Sequence, residues 1–168
     1  MLYRDRRDAG RELARKLAQY RDRDDVLVLA LPRGGVPVGY EVARALGAPL
    51  DVFVVRKLGT PGQPELAMGA IASGGVRVLN REVVDGLAIS AEAIEEVAQI
   101  ENEELKRRER DYRGTRPPLV IRGKIVIVVD DGLATGSTMR AAAQALRQEG
   151  AAKTIIAVPV AARQSCES

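Results

Sequence analysis

The stretch that decides the fold runs from residue 124 to residue 138 and reads Lys124-Ile-Val-Ile-Val-Val-Asp-Asp-Gly-Leu-Ala-Thr-Gly-Ser-Thr138. Its five consecutive β-branched residues, 125–129, predict a strand that is buried on both faces, because such a run leaves no polar face for water. The strand stops at two carboxylates, and the Ala, Leu, Gln and Arg pattern of residues 139–149 favours a helix. The predicted order is strand, acidic pair, loop, helix.

The loop between this strand and this helix has the chemistry of an anion site. Small residues and the free backbone N–H groups at a helix start form a cradle for phosphate. Asp130 and Asp131 would repel a bare phosphate. They suit an anionic ligand that also carries ribose hydroxyls or Mg²⁺, since hydroxyl groups donate hydrogen bonds to carboxylate oxygens and Mg²⁺ is coordinated by them. An ordinary Asp-Gly turn is the alternative, and it explains neither the doubled Asp nor the run of hydroxyl groups.

Length and composition set broader bounds. A chain of 168 residues and 18.1 kDa with 46% hydrophobic residues predicts a single domain with a real core. No apolar run approaches the length of a membrane span, and the first residues lack the apolar segment of a signal peptide, so we expect a cytoplasmic protein.

The residue types that can bind metals or carry charge limit the kinds of site that this chain can form. The chain has one cysteine and no histidine, which excludes an internal disulfide, a typical zinc site and a histidine-based triad. Oxygen ligands remain, and they favour Mg²⁺. The net charge of +3 comes from 26 basic and 23 acidic residues that are interspersed, so it favours anionic ligands only weakly and makes nucleic acid an unlikely partner.

The first third of the chain predicts a second glycine-rich loop. Asp8 is expected to cap an amphipathic helix, and residues 26–31 read as a buried strand that runs into Arg33-Gly34-Gly35 before a helix over 38–46. The spacing of Gly34 and Gly39 is that of a P-loop. Tyr40 and Glu41 replace the Lys and the Ser or Thr that a P-loop needs, so we reject a nucleoside triphosphatase. A glycine turn with a solvent-facing arginine is the alternative to an anion-binding loop.

The middle of the chain predicts a strand over 50–55 that ends in Arg56-Lys57, two adjacent cations that folding alone explains poorly. Residues 58–65 contain two glycines and two prolines and are expected to form a loop, either a lid or a linker. Residues 66–72 and 76–79 read as a hairpin. Ser90 should cap a helix that runs to about residue 112, and the charged residues of this helix are interpreted as a solvated face. Residues 154–160 read as a further buried, central strand.

These elements converge on one edge of the predicted sheet. Strands separated by helices should be parallel, with right-handed crossovers, and ligands of such sheets bind beyond the carboxyl ends of the strands. The loops that start at Arg33, Arg56 and Asp130 each follow such an end. A site that combines cations, free amides, hydroxyls and carboxylates fits a polyanionic sugar phosphate.

The segment 126–138 resembles the signature of type I phosphoribosyltransferases, in which a hydrophobic strand, two acidic residues and a Thr-Gly loop open a helix. The motifs Leu31-Pro-Arg-Gly-Gly-Val-Pro-Val, Val55-Arg-Lys-Leu-Gly and Asp5-Arg6 extend the likeness over nearly the whole chain, to a bacterial subgroup described only as predicted phosphoribosyltransferases. The resemblance implies an α/β fold with a doubly wound parallel sheet flanked by helices and a small hairpin or hood.

The resemblance also implies a function. It is Mg²⁺-dependent transfer of ribose 5-phosphate from phosphoribosyl pyrophosphate to a nitrogenous, nucleobase-like acceptor in nucleotide salvage, with release of pyrophosphate. Asp130 and Asp131 would hold the ribose hydroxyls and act in catalysis, and would meet the metal only indirectly, through those hydroxyls or water. The remaining substrate-binding residues implied are Arg33, Gly34, Gly35, Arg56, Lys57, Gly132, Ala134, Thr135, Gly136, Ser137 and Thr138. Ala134 stands where the 6-oxopurine transferases carry an Asp, which leaves the acceptor base unnamed.

Two other functions and the end of the chain complete the expectations. A regulatory protein that senses phosphoribosyl pyrophosphate without turning it over is the main alternative; a phosphatase or kinase would need a catalytic carboxylate motif that the sequence lacks. A homodimer is left open. Because residues 155–160 are apolar, we expect cover on both faces of this last strand and a neighbour at each edge, and hence a C-terminal segment beyond Ser168.

Overall fold

A four-stranded parallel sheet lies at the centre of the structure, which is a computed structural model that describes residues 3–133 and 136–160. The helices and strands follow one another in the order α1 (Arg6–Lys16), a 3₁₀ turn (Ala18–Tyr20), β1 (Val26–Ala30), α2 (Gly35–Leu46), β2 (Leu50–Val52), β3 (Val55–Thr60), β4 (Gln63–Ala72), β5 (Val76–Leu79), α3 (Arg81–Gly86), α4 (Ala91–Arg113), β6 (Ile125–Val129), α5 (Ser137–Gln148) and β7 (Lys153–Ala157).

The central sheet has the strand order β2-β1-β6-β7, and every pairing in it is parallel. All five residues of β1 and of β6 are buried, as the apolar runs predict. Alternate residues face opposite sides: Val26 and Val28 pack with α2, whereas Leu27 and Leu29 pack with α5. Helices therefore cover both faces, and the doubly wound sheet is confirmed.

A second, antiparallel sheet has the order β3-β4-β5. Leu58, Met68 and Ile71 on one of its faces pack against α4, and Ala70 and Val78 on the other face pack against Ala141 of α5. The helix α5 thus lies between the two sheets. The predicted hairpin around Ser73-Gly74-Gly75 is confirmed by the β4–β5 pairing.

The predictions for residues 50–65 were wrong in two respects. The strand predicted over 50–55 ends at Val52, and the cations predicted to follow it lie inside β3, in the other sheet. Residues 58–65 form the end of the β3–β4 hairpin that contains its turn, rather than a loop. Its prolines and glycines are accommodated because the β3–β4 register shifts on both sides of Gly59 and the turn places Gly62 at φ +80°. The tip, residues 61–66, is exposed; its role as a lid stays a prediction.

Two further boundaries differ from the predictions. The helix α1 is capped by Asp5, whose carboxylate accepts a hydrogen bond from the backbone N–H of Asp8 at 2.8 Å, so the assignment of the cap to Asp8 was wrong by three residues. The cap of α4 by Ser90 is confirmed. The short helix α3 was missed, because six residues carry too little periodicity to distinguish a helix from a turn.

Among the strands of the described residues, β7 lies at the edge of the sheet. Within residues 3–133 and 136–160 it pairs only with β6, and Ile156 is 47% exposed. The predicted bounds of 154–160 and full burial were wrong, since β7 spans Lys153–Ala157 and is only partly buried; a further neighbour for this strand stays a prediction. Among the helices of the described residues, none combines the length and the apolar character that a membrane crossing requires.

Candidate functional site

The acidic pair stands directly after β6, at the carboxyl end of a central strand. The backbone N–H of Asp131 donates a hydrogen bond to Oδ1 of Asp130 at 2.8 Å, which folds the first carboxylate back over the chain. Both residues are half-buried. Burial raises the pKa of Asp130 to about 6, and the neighbouring Asp131 carboxyl adds to the rise against a lowering by its backbone N–H. Within residues 3–133 and 136–160, the negative charge of Asp130 therefore has no compensating cation.

The loop after β1 closes tightly on the acidic pair. A Cβ atom placed on Gly34 would lie 2.2 Å from Oδ2 of Asp131, and one placed on Gly35 would lie 2.6 Å from the carbonyl oxygen of Val129. At Gly35 the obstacle is backbone and cannot give way, whereas at Gly34 a side chain would have to displace the Asp131 carboxylate. The peptide bond between Pro32 and Arg33 is cis. The loops predicted to meet from β1 and β6 therefore lie in direct contact, and glycine is what permits the approach.

Arg6 joins the site from the start of α1, although sequence reasoning did not assign it a role there. Its Nε and Nη2 atoms donate to Oδ2 of Asp131 at 3.0 and 2.9 Å. A separation of 125 residues hides this contact from any local pattern; the only signal was the Asp5-Arg6 motif of the family resemblance. The second carboxylate of the pair thus has a cationic partner, and the first has none in the described part of the chain.

The N-terminus of α5 lies where the phosphate cradle is predicted. Gly136 precedes the helix with φ +78°, a left-handed conformation that glycine adopts without strain, and Ser137 and Thr138 form the first turn. Gly132 lies in the connecting loop, where a Cβ atom would be 3.7 Å from the carbonyl oxygen of Val160. Ala134 and Thr135, also predicted to bind substrate, lie outside the described residues.

The two adjacent cations of β3 have different surroundings. Arg56 donates from Nε to Oε2 of Glu101 on α4 at 2.7 Å, in a half-buried ion pair. Lys57 is exposed and lines a cavity of about 530 Å³ together with Ser137 and Arg140 of α5. Successive side chains of a strand point to opposite faces, so a ligand at the start of α5 can meet only one of the two. Arg56 is thus engaged by α4, whereas Lys57 has a position suited to substrate binding; the binding role of each residue stays a prediction.

Arg33 lines a second cavity, of about 460 Å³, that the sequence did not indicate. The other side chains around it include Arg107, Arg108 and Tyr112 of α4. Glu104 pairs with both arginines of α4, and Asp111 pairs with Arg107. The charge run of α4, interpreted as a solvated face, therefore also contributes to a cavity beside the glycine loop. Helical spacing predicts the pairs Glu103–Arg107 and Glu104–Arg108, of which the second is confirmed, whereas Arg107 pairs with Glu104 and Asp111; spacing cannot show what lies opposite these side chains.

The donor set fits a magnesium ion that is held mainly by a ligand. Within the described ranges, no group of three or more Asp, Glu, His or Cys side chains is arranged to hold a metal. Asp130 offers one half-buried carboxylate with no cationic partner among those residues. Hard oxygen ligands of this kind suit Mg²⁺, whose remaining positions are commonly filled by water and phosphate oxygens.

Comparisons with known proteins agree with this geometry. The family described as "Phosphoribosyl transferase domain" matches residues 3–168. "Putative phosphoribosyl transferase Rv0571c" of Mycobacterium tuberculosis is 54% identical over 159 residues, which is 95% of this chain and 36% of that protein. The chain thus spans little more than a third of the length of the curated relatives it matches.

Solved structures show the same fold. The crystal structure of TT1426 from Thermus thermophilus is 43% identical with a TM-score of 0.86, and the match covers 99% of this chain and 79% of that one. A hypoxanthine phosphoribosyltransferase from Staphylococcus aureus, at 12% identity and a TM-score of 0.55 over 96% of this chain and 65% of its own, supports the fold alone. On the family match and the sequence relatives together, this chain belongs to the phosphoribosyl transferase domain family.

Proposed function

We propose that this chain binds phosphoribosyl pyrophosphate and transfers its ribose 5-phosphate to a nitrogenous acceptor in the cytoplasm, with release of pyrophosphate. The observation that carries the proposal is the closure of the Gly34-Gly35 loop on the acidic pair, next to the N-terminus of α5. One edge of the sheet thereby offers carboxylate acceptors for ribose hydroxyls and free amides for a phosphate.

Each part of the site has a distinct task in this reaction. The first turn of α5 binds the 5′-phosphate and fixes the position of the sugar. Asp130 and Asp131 accept hydrogen bonds from the ribose hydroxyls and place negative charge near the positive charge that develops at C1 as the bond to pyrophosphate breaks. Arg33, Lys57 and the amides of the glycine loop stabilise the departing pyrophosphate.

A magnesium ion would be held by Asp130, directly or through water, together with oxygen atoms of the donor. When bound, it would neutralise negative charge on the pyrophosphate. The uncompensated charge of Asp130 supports this assignment, since a cation there would offset the cost of burying that carboxylate.

Calorimetry with phosphoribosyl pyrophosphate tests the proposal. We expect binding that strengthens with Mg²⁺, and a loss of about 1–3 kcal/mol in Thr138→Ala, which removes a hydroxyl from the first turn of α5. Thr115→Ala, in an exposed loop, is the matched control and should bind as the unsubstituted protein does.

The same protein distinguishes transfer from sensing. A screen of a metabolite extract for pyrophosphate release should find an acceptor that is consumed. Donor binding without turnover on any extract component would support a sensor of phosphoribosyl pyrophosphate, and a folded protein that does not bind the donor with Mg²⁺ present would refute both functions.

A further inference from the structure

Arg6 connects the start of α1 to the acidic pair. Its Nε and Nη2 atoms both donate to a single oxygen of Asp131, Oδ2, at 3.0 and 2.9 Å. The other oxygen, Oδ1, accepts no hydrogen bond from any residue among 3–133 and 136–160. The Asp131 side chain is 33% exposed, so a ligand can reach it. Arg6 therefore occupies one oxygen of this carboxylate and leaves the other available.

The glycine loop after β1 borders the same carboxylate. A Cβ atom on Gly34 would lie 2.2 Å from Oδ2 and 2.8 Å from Oδ1 of Asp131. The backbone of the loop and the guanidinium of Arg6 thus restrain this side chain together, although they come from separate parts of the chain. A side chain that is already fixed loses little conformational freedom when a ligand binds to it. The carboxylate of Asp131 is preorganised in this sense.

Packing of α1 on α2 determines where Arg6 lies. A Cβ atom on Gly10 would be 2.8 Å from the carbonyl oxygen of Val38, so the two helices are in close contact. Leu13 packs against the cluster of buried residues that includes Val38. Because α2 begins directly after the glycine loop, this contact brings the first turn of α1 to the same edge of the sheet. The fold therefore delivers Arg6 to the site through apolar packing.

Folding alone explains Arg6 poorly. It is the first residue of α1, where the positive end of the helix dipole disfavours a cation. Its side chain is 61% exposed, and an ion pair with such exposure contributes little stability. The acidic residue of this turn, Asp8, accepts from the backbone N–H of Arg4 and pairs with Arg11. The contact between Arg6 and Asp131 thus has a small net effect on stability, and its main consequence is for the carboxylate.

We propose that Arg6 is a positioning residue for the donor: it fixes Asp131 so that Oδ1 accepts a hydrogen bond from a ribose hydroxyl, and it offsets the charge of that carboxylate. This inference rests on the proposed binding of phosphoribosyl pyrophosphate. With Arg6 in place, only Asp130 of the acidic pair lacks a cationic partner among the described residues. Without Arg6, the phosphates of the donor would approach two adjacent uncompensated carboxylates. Arg6 acts through Asp131 and touches no atom of the donor.

Calorimetry with phosphoribosyl pyrophosphate and Mg²⁺ tests the proposal. Arg6→Met should weaken donor binding about tenfold, because Asp131 is then neither fixed nor offset in charge. Arg7→Met is the matched control: it removes the same charge from the same turn, but Arg7 is exposed and forms no ion pair with the described residues. Its donor affinity should stay within about twofold of the unsubstituted protein, since a distant exposed charge is screened by salt. The midpoint of urea unfolding should be unchanged in both variants.

A double-mutant cycle tests whether Arg6 acts through Asp131. Asp131→Ala removes the carboxylate and should itself weaken donor binding. Adding Arg6→Met to Asp131→Ala should change the donor affinity by less than about twofold, because the two substitutions remove the same interaction. If the guanidinium bound the donor itself, the two losses would multiply.

The two halves of the donor give a second readout. Ribose 5-phosphate carries the hydroxyl groups that Asp131 would accept, whereas inorganic pyrophosphate carries none. Arg6→Met should therefore weaken the binding of ribose 5-phosphate about tenfold and the binding of pyrophosphate by less than about threefold. A merely structural effect of the substitution would lower both affinities alike.

Four results would overturn this role of Arg6: unchanged donor affinity in Arg6→Met, equal losses in Arg6→Met and Arg7→Met, losses that multiply in the cycle, or a loss for pyrophosphate as large as that for ribose 5-phosphate. Donor binding by the unsubstituted protein is measured separately. If that protein binds the donor and Arg6→Met binds it equally well, only the inference about Arg6 fails. If the unsubstituted protein does not bind the donor, the proposed function fails as well.

Discussion

Burying a carboxyl group beside a second carboxyl carries a cost at Asp130 that a change of pH can reveal. The pKa of Asp130 rises from 3.8 to about 6, chiefly because of burial. A carboxyl whose pKa is higher in the folded state than in the unfolded state binds more protons when folded. The protein therefore loses stability as pH rises between these two values, and the loss stays constant above about pH 6.

We predict that Asp130→Asn stabilises the fold at pH 8 by about 1 kcal/mol, a value reduced to allow for solvent screening of a half-exposed group. The asparagine keeps the Oδ1 atom that accepts from the backbone N–H of Asp131. Urea unfolding of both proteins at several pH values measures the difference. It should grow between pH 4 and about pH 6 and then level off; a difference that does not vary with pH would show that the carboxyl is not strained by burial.

The acidic pair also shows what the sequence could and could not predict at single residues. The doubled Asp after an apolar run was enough to place a strand end and a candidate site there. The unequal surroundings of the two carboxyls could not be predicted, because the cation that binds Asp131 is Arg6, from the other end of the chain. The uncompensated charge of Asp130 is a property of tertiary packing.

At the scale of elements, β3 shows why adjacent residues can have different roles. Successive side chains of a strand point to opposite faces, so Arg56 contacts Glu101 of α4 and Lys57 lines the cavity beside α5. The sequence placed both cations at a strand end, since the prolines and glycines that follow indicated a loop. The bulge at Gly59 that lets a strand continue through them depends on pairing with β4, which no local pattern reveals.

A matched pair of substitutions separates the two roles. We predict that Arg56→Met lowers the free energy of unfolding by about 1–2 kcal/mol, because it leaves Glu101 half-buried without its partner, and that it leaves donor affinity unchanged. Lys57→Met should weaken donor binding by about 1–2 kcal/mol, with stability within about 0.5 kcal/mol. Urea unfolding and calorimetry on both variants measure the effects. Equal loss of donor affinity in the two would show that Arg56 also binds the donor.

The contact between α1 and α2 depends on a glycine. A Cβ atom on Gly10 would lie 2.8 Å from both the Cβ of Glu41 and the carbonyl oxygen of Val38, atoms that cannot swing aside. We predict that Gly10→Ala costs about 1 kcal/mol of stability, since overpacking outweighs the helix preference of alanine, which is worth about 1 kcal/mol.

Gly86→Ala is the control for this prediction. Gly86 also lies in a helix, but a Cβ atom there would meet nothing within 4 Å, so this variant should be as stable as the unsubstituted protein or more so. Thermal or urea unfolding compares the two. A Gly10→Ala protein as stable as Gly86→Ala would mean that α1 and α2 can move apart at no cost.

At the scale of the whole molecule, the parallel sheet and its helices were predictable and the second sheet was predicted only in part. Runs such as residues 125–129 leave no choice but burial on both faces, and alternation of strands with helices makes the sheet parallel. The hydrophobicity of a strand does not predict its position within the sheet. The run of residues 155–158 at the end of β7 is as apolar as a central strand, yet in the described part of the chain β7 has a neighbour on one side only.

That edge predicts how the chain behaves in solution. The outer side of β7 presents backbone N–H and C=O groups that no described strand pairs, and Ile156 on it is 47% exposed. Unpaired strand edges with apolar side chains promote association of chains. We predict that the 168-residue protein self-associates in a concentration-dependent way, and that Ile156→Lys, which adds a charge to the edge, reduces this association at a stability cost below about 1 kcal/mol.

Light scattering over a range of protein concentrations measures the effect, and Val120→Lys is the control. Val120 is 70% exposed and belongs to the loop before β6, so the same change of side chain there leaves the edge of the sheet intact. If association falls equally in both variants, net charge and not the strand edge governs it. If the unsubstituted protein stays monomeric at every concentration, the outer side of β7 is covered within its own chain, and the sheet extends beyond the four strands described here.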